Sequence, residues 1–407
     1  MKKTLLISGA VIAILLLAFF AWFFLGRDKT VPAGEAVMNL LPFGSGENLG
    51  ESGITNQESG IGITVGEEKI FDEQGVPTSN LFRLSDASVA GMIAFARGGQ
   101  TVVRFVERAT GHIYETALPK DKALAPLEKK KISINTLPKV YEAYFRPDGN
   151  MVLLRMLEDG SDAQKNLVLN LAATTSTAVN VRGVLGSIAV GQGNTLFYTE
   201  LGSKTVVSSP FGGTVKTLYS FPFTDWRVSP AGTGLLLEAK PSAEAPGFAY
   251  ILSAAGSLTR ILGSLSGLSA VSNAAGTSVL YSYNNGSEIK LFARNLRTGA
   301  EVEISPATLA EKCVWSAKES SKVFCGAPNS SPSADEPDGW YAGATHFSDY
   351  IWTSDSITEI SKLLASPLDE FGIDIDVYKP MLSPAEDYLL FINKRDMSLW
   401  VLKLPGA

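Results

Sequence analysis

Two cysteines and two histidines in 407 residues leave little for a metal to hold. A structural zinc centre takes four such ligands, so multi-ligand Cys/His sites are excluded and no metal is expected. Charge is also sparse. Charged residues make up 19% of the chain and the net charge is −6. Nonspecific nucleic-acid binding relies on Lys and Arg neutralising phosphates, so a nucleic-acid partner is disfavoured. There is no G-x-x-x-x-G-K-[ST] phosphate loop and no nucleotide fingerprint. A serine-hydrolase reading would need a separate α/β domain carrying a G-x-S-x-G elbow, and no stretch is left to hold one. His112, in "ERATGHIYE", lies near Glu107 and Glu115. It sits in a turn signal, where a surface His is the ordinary case. No catalytic residue, cofactor or enzymatic activity is therefore expected.

What the chain does have is 45% hydrophobic residues, 38 Gly and 20 Pro, the composition of a folded protein with many turns. One apolar run dominates the N-terminus. After Lys2 and Lys3, no charge interrupts Thr4 to Gly26. A helix of that length spans a hydrocarbon core of about 30 Å. A cleaved signal peptide would have a shorter apolar region, with small residues at the cut. Here Trp22, Phe23, Phe24 and Leu25 stand at that place. The expectation is a cytoplasmic tail over 1–3 and a single transmembrane helix over 4–26, with the lipid bilayer as its partner. The rest would lie on the extracytoplasmic side of the cytoplasmic membrane, by the narrow positive bias of the N-terminus. Residues 27–78 read as a flexible tether, because "GSGENLGESGITNQESGIG" cannot bury enough surface to offset chain entropy.

Beyond the tether one pattern keeps returning: an apolar residue, a short turn, then an apolar run. It reads "FRPDGNMVLLR" from Phe145, "VSPAGTGLLLE" from Val228 and "LSPAEDYLLFI" from Leu382. The turn positions fall at Gly99, Gly149, Gly193, Gly232, Gly276, Ser320 and Glu386, most of them about 44 residues apart. Four short strands per unit at that period predict an all-β, seven-bladed β-propeller over 79–407. The fifth unit shows the strands directly: "GLSAVSN", "TSVLYSYN", "IKLFARNL" and "EVEIS". The seventh unit has only three strands. Leu81 to Asp86, "LFRLSD", is a strand without a unit, and pairing the two would close the ring.

The turns "RPDG" and "VSPAG", and the segment "LSPAED…LLFINKRDMSLWVLKL", resemble the WD40-like repeat of TolB-type bacterial propellers. The resemblance covers about residues 81–404. Units with "VGQG" and "SAKESS" depart from it, and no Trp-Asp dipeptide ends the blades. It implies a membrane-anchored bacterial propeller that presents loops to proteins or ligands. Two readings follow. One is a noncatalytic interaction or scaffold module with a protein partner in the cell envelope. The other is a carbohydrate- or small-ligand-binding propeller, with or without enzymatic activity, that uses the central pocket. Inward-facing carboxylates or Arg around the axis would favour the second.

Three further features stand out. The 66-residue gap before Glu386 marks an insertion in the sixth unit, Asn329 to Tyr350. Its candidate recognition residues are Asp335, Glu336, Asp338, Trp340, Tyr341, His346, Phe347 and Tyr350. The alternative is that its aromatics fold back over the blade. Pro119 to Lys131 is a second insertion with five Lys, read as a solvated loop. Cys313 and Cys325 flank the hairpin turn of the sixth unit symmetrically, which makes them candidates for a disulfide.

Overall fold

The computed structural model describes Asp72 and residues 76–405, apart from 120–125, 134, 159, 162, 173–176, 331 and 334. The expected transmembrane segment and almost all of the tether lie outside the described residues. Among those described, no helix is long and apolar enough to cross a membrane.

The described strands form seven four-stranded antiparallel sheets, the blades of a propeller. The inner strands are Val89–Arg97, Val140–Phe145, Leu185–Val190, Trp226–Ala231, Ser269–Ser272, Cys313–Trp315 and Val377–Leu382, for blades one to seven. The repeated turn joins each inner strand to the next. Gly99, Gly149, Gly193, Gly232 and Gly276 all have φ between 57° and 77°, a left-handed conformation that glycine adopts without strain. Glu386 takes φ 53° at the same place in blade seven. Its carboxylate accepts hydrogen bonds from Ala317 N, Lys318 N and the Ser316 hydroxyl, clamping the turn of blade six.

The ring closes as the strand count requires. Leu81–Ser85 pairs antiparallel with Leu399–Lys403, so blade seven is built from both ends of the propeller. Phe82 and Leu81 are buried there beside Trp400 and Val401. The apolar clusters each lie between neighbouring blades. Val106, Val140, Val152 and Leu154 join blades one and two, and Leu153, Val168, Leu196 and Tyr198 join two and three. A sheet with two apolar faces cannot cover both alone, and the ring gives each face a partner.

One local reading is met and another needs adjustment. Cys313 and Cys325 are register partners and are joined by a disulfide, with 4.1 Å between Cα atoms. The basic stretch is not all loop. Lys130–Lys131 pairs with Tyr114 and Glu115 as the outer strand of blade one. A two-residue strand of lysines carries no alternation, so nothing in the sequence marked it.

Candidate functional site

Near the axis the inner strands converge on a cavity of about 520 Å³. Charged side chains line it in two groups. In the first, Lys379 of blade seven reaches Glu142 of blade two, Nζ to Oε1 3.1 Å. Arg155 approaches the same carboxylate at 2.5 Å, and another of its nitrogens donates to the Leu185 carbonyl. Lys379 also lies 5.1 Å above the Tyr144 ring and 5.2 Å from that of Tyr378.

The backbone explains the aim of Lys379. The pairing of Val377–Leu382 with Tyr388–Asn393 shifts register between Tyr378 and Met381. Lys379 sits in this bulge at φ 50°, a left-handed conformation that a lysine seldom adopts. Bulges turn a side chain out of the regular alternation, and they collect beside functional sites.

Burial acts against charge in this group, and the ion pairs overcome it. It pushes the Glu142 carboxyl up, but Lys379 and Arg155 together hold it at about 2. Burial pulls Lys379 down, and Glu142 more than restores it, to well above its ordinary value. Protein atoms surround the Lys379 stem, yet the side chain stays 32% exposed because its end opens on the channel. All three groups are therefore charged at neutral pH.

In the second group, Arg227 of blade four meets Glu311 at 3.0 Å and Glu238 at 3.5 Å. Glu311 comes from a short 3-10 helix, Ala310–Lys312, that leads into blade six. Glu238 also accepts the Ala270 N–H at 2.7 Å. Burial raises Glu238 to about 7, helped by Glu311 and opposed by Arg227. Tyr378 also lines the cavity, and burial, with Glu142 and Glu311, raises its hydroxyl against the pull of Lys379.

The next residue of that helix points elsewhere. Lys312 is fully buried between blades six and seven. Its ammonium binds Asp349 at 2.7 Å, Asp376, and the Val377 carbonyl at 3.1 Å. Burial and the nearby Asp376 raise Asp349 to about 6, against the pull of Lys312. Trp340 and Phe347 cover the ammonium, with centroids at 5.1 and 4.8 Å.

This cluster accounts for much of the blade-six insertion. Trp340, in a five-residue helix, Asp338–Ala342, is 1% exposed and donates Nε1–H to both Asp376 oxygens. Phe347, Tyr350 and Glu336 are buried as well. Glu336 accepts the Trp340 N–H and the Thr345 hydroxyl, which ties the insertion to itself. Asp335 and Asp338 are exposed, Tyr341 is half-buried, and His346 is exposed with Nδ1 3.8 Å from Asp376. Asp338 accepts the Ala243 N–H of blade four. The insertion thus places four of its eight candidates inside the fold. His112 sits between two strands of blade one, with Nε2 3.0 Å from Lys131 and 3.2 Å from Thr136.

None of the residues lining the axial mouth was singled out from the sequence. A signal for two of them was present. Glu142 and Lys379 each stand five residues before the turn proline of their repeat, Pro147 and Pro384. A charge at one repeat position of an inner strand, where apolar residues prevail, marks a side chain facing the axis.

No family model matches the chain, and no curated protein matches it. Solved structures do. One is an inactive variant of virginiamycin B lyase from Staphylococcus aureus with quinupristin, 12% identical, covering 80% of this chain and 98% of that one, TM-score 0.48. TolB from Acinetobacter baumannii is 10% identical over 74% of this chain and 78% of that one, TM-score 0.41. Hydrazine synthase from Kuenenia stuttgartiensis is 13% identical over 63% and 74%, TM-score 0.46. The propeller assignment rests on the strand pairing itself.

Proposed function

We propose that this chain is a noncatalytic binding module of a bacterial cell envelope, tethered to the membrane through 4–26, and that it receives its ligand at the axial mouth. The observation that carries the reading is Lys379, held in a strained bulge and aimed across the channel at Glu142. Strain at one residue persists only where the surroundings enforce it, and here it delivers a charge to a cavity. Among the two expectations from sequence, this moves the weight towards the central pocket. The insertion's buried aromatics supply less surface to a partner than their number suggested.

Site-directed photocrosslinking in intact cells tests the reading. A photoreactive residue replacing Ser187 at the mouth should capture an envelope partner or ligand. The same residue replacing Ile357, exposed at the rim, should not. Capture at Ile357 alone would reject the axial mouth.

One observation favours a second reading. Glu238, raised to about 7, is a carboxylate poised near neutrality on the wall of a cavity, as a general acid or base would be. Replacing it with Gln would abolish an activity of that kind.

A further inference from the structure

The two charged groups of the axial mouth are unequal in opposite senses. On the side of blades seven and two, two cations, Lys379 and Arg155, share one carboxylate, Glu142. On the side of blades four and six, two carboxylates, Glu238 and Glu311, share one guanidinium, Arg227. The remaining charged groups on the lining are Glu200, Asp225 and Lys240, from blades three and four. Asp225 and Lys240, both of blade four, offset each other, and Glu200 stands in register with Leu185 at the seam with blade two. One mouth therefore has an excess of cations around Glu142 and an excess of carboxylates around Arg227, with Tyr378 also on its lining.

We propose that the mouth binds a small zwitterion: a short peptide with both ends free, its carboxylate towards Lys379 and Arg155 and its ammonium towards Glu311, Glu238 and Asp225. The inference rests on the axial mouth being the ligand site. A simple anion would meet the carboxylates around Arg227 and a simple cation the cations around Glu142, so each would lose at one end what it gained at the other. A molecule with both charges meets an opposite sign at each end. The cavity of about 520 Å³ is in the range of small-ligand sites, roughly 300–1,000 Å³. The ion pairs already present keep both groups charged and oriented before the ligand arrives, which lowers the ordering cost of binding.

The test uses the full chain in detergent, titrated calorimetrically with trialanine, N-acetyl-trialanine and trialanine amide. The expected result is binding of trialanine, with at least a ten-fold loss of affinity on capping either end. Equal affinity for the three peptides, or no binding of trialanine, overturns the zwitterion. Lys379→Met and Asp225→Asn should each weaken trialanine ten-fold or more. Asp225 is exposed, so its variant keeps the test alive if the bulge variant misfolds. End-dependent binding that neither folded variant alters would reject the mouth as its location, and the proposal with it. Crosslinking at Ser187 without any trialanine binding would leave the axial reading standing and remove only the zwitterion.

Discussion

Lys379 and Glu142 lie 237 residues apart in sequence and 3.1 Å apart in space, joining blade seven to blade two past the inner strand of blade one. The pair makes acid sensitivity predictable. Glu142 is held at about 2 against an ordinary 4.5. A carboxylate held low stabilises the fold above its ordinary value, and that stabilisation fades as pH falls from 4.5 towards 2. Glu142→Gln should therefore melt below the parent protein at pH 7, and the gap should close on acidification across that window. A gap that stays constant with pH would mean that the charge of Glu142 is not what stabilises.

Glu238 behaves in the opposite sense. Its carboxyl is raised from 4.5 to about 7. The stability of the protonated form is fully present below 4.5 and is lost as pH rises through 7. Glu238→Gln mimics the protonated acid and keeps an acceptor for the Ala270 N–H. Melting temperatures from pH 4 to 9 should show a flatter profile, with the variant the more stable of the two at pH 8. A variant that loses stability at pH 8 would show that the ionised carboxylate is the favoured form.

Lys312 is the only basic side chain within contact distance of Asp349 among the described residues, and both are fully buried. Removing it strands two carboxylates between blades six and seven. Breaking a buried pair from one side typically costs about 3–5 kcal/mol. Urea unfolding of Lys312→Met should show a loss of that order. Adding Asp349→Asn and Asp376→Asn should recover most of it, since the isolated charges are then gone. If the triple variant is no better than Lys312→Met, packing around the lysine stem accounts for the loss.

Trp340 gives the clearest separation of structural and recognition roles. It is buried, bonded to Asp376 and stacked on Phe347 with centroids 6.3 Å apart. Trp340→Ala should destabilise by about 3–5 kcal/mol, as large buried aromatics do. The folded fraction should still bind at the axial mouth. A stable Trp340→Ala protein that no longer captures its partner would restore recognition to the insertion.

Ring closure is testable through Phe82, which is fully buried against blade seven. Phe82→Ala should cost about 3–5 kcal/mol and widen the thermal transition of blades one and seven. Hydrogen exchange should accelerate first in Leu399–Lys403, the strand that Leu81–Ser85 covers. Unchanged protection there would mean that the ring is held by its other seams.

The period of about 44 residues, the turn glycines and the unpaired strand at Leu81 were enough to determine the number of blades and the way the ring closes. They work locally: a left-handed turn favours glycine, as at Gly149, wherever the chain folds, and an apolar strand needs a covered face. The opposition of Cys313 and Cys325 was legible for the same reason, since hairpin register follows from the turn between them. The axial site was not. Glu142, Arg227, Glu311 and Lys379 come from four blades, and which of them meet depends on how the ring brings distant inner strands together. The bulge at Lys379 breaks the alternation from which a side chain's direction is read. For the aromatics of the insertion the sequence left two readings open, an exposed recognition surface or rings folded back over the blade. Only the buried ammonium of Lys312, with Asp349 and Asp376 around it, decided that Trp340 and Phe347 turn inward to cover it.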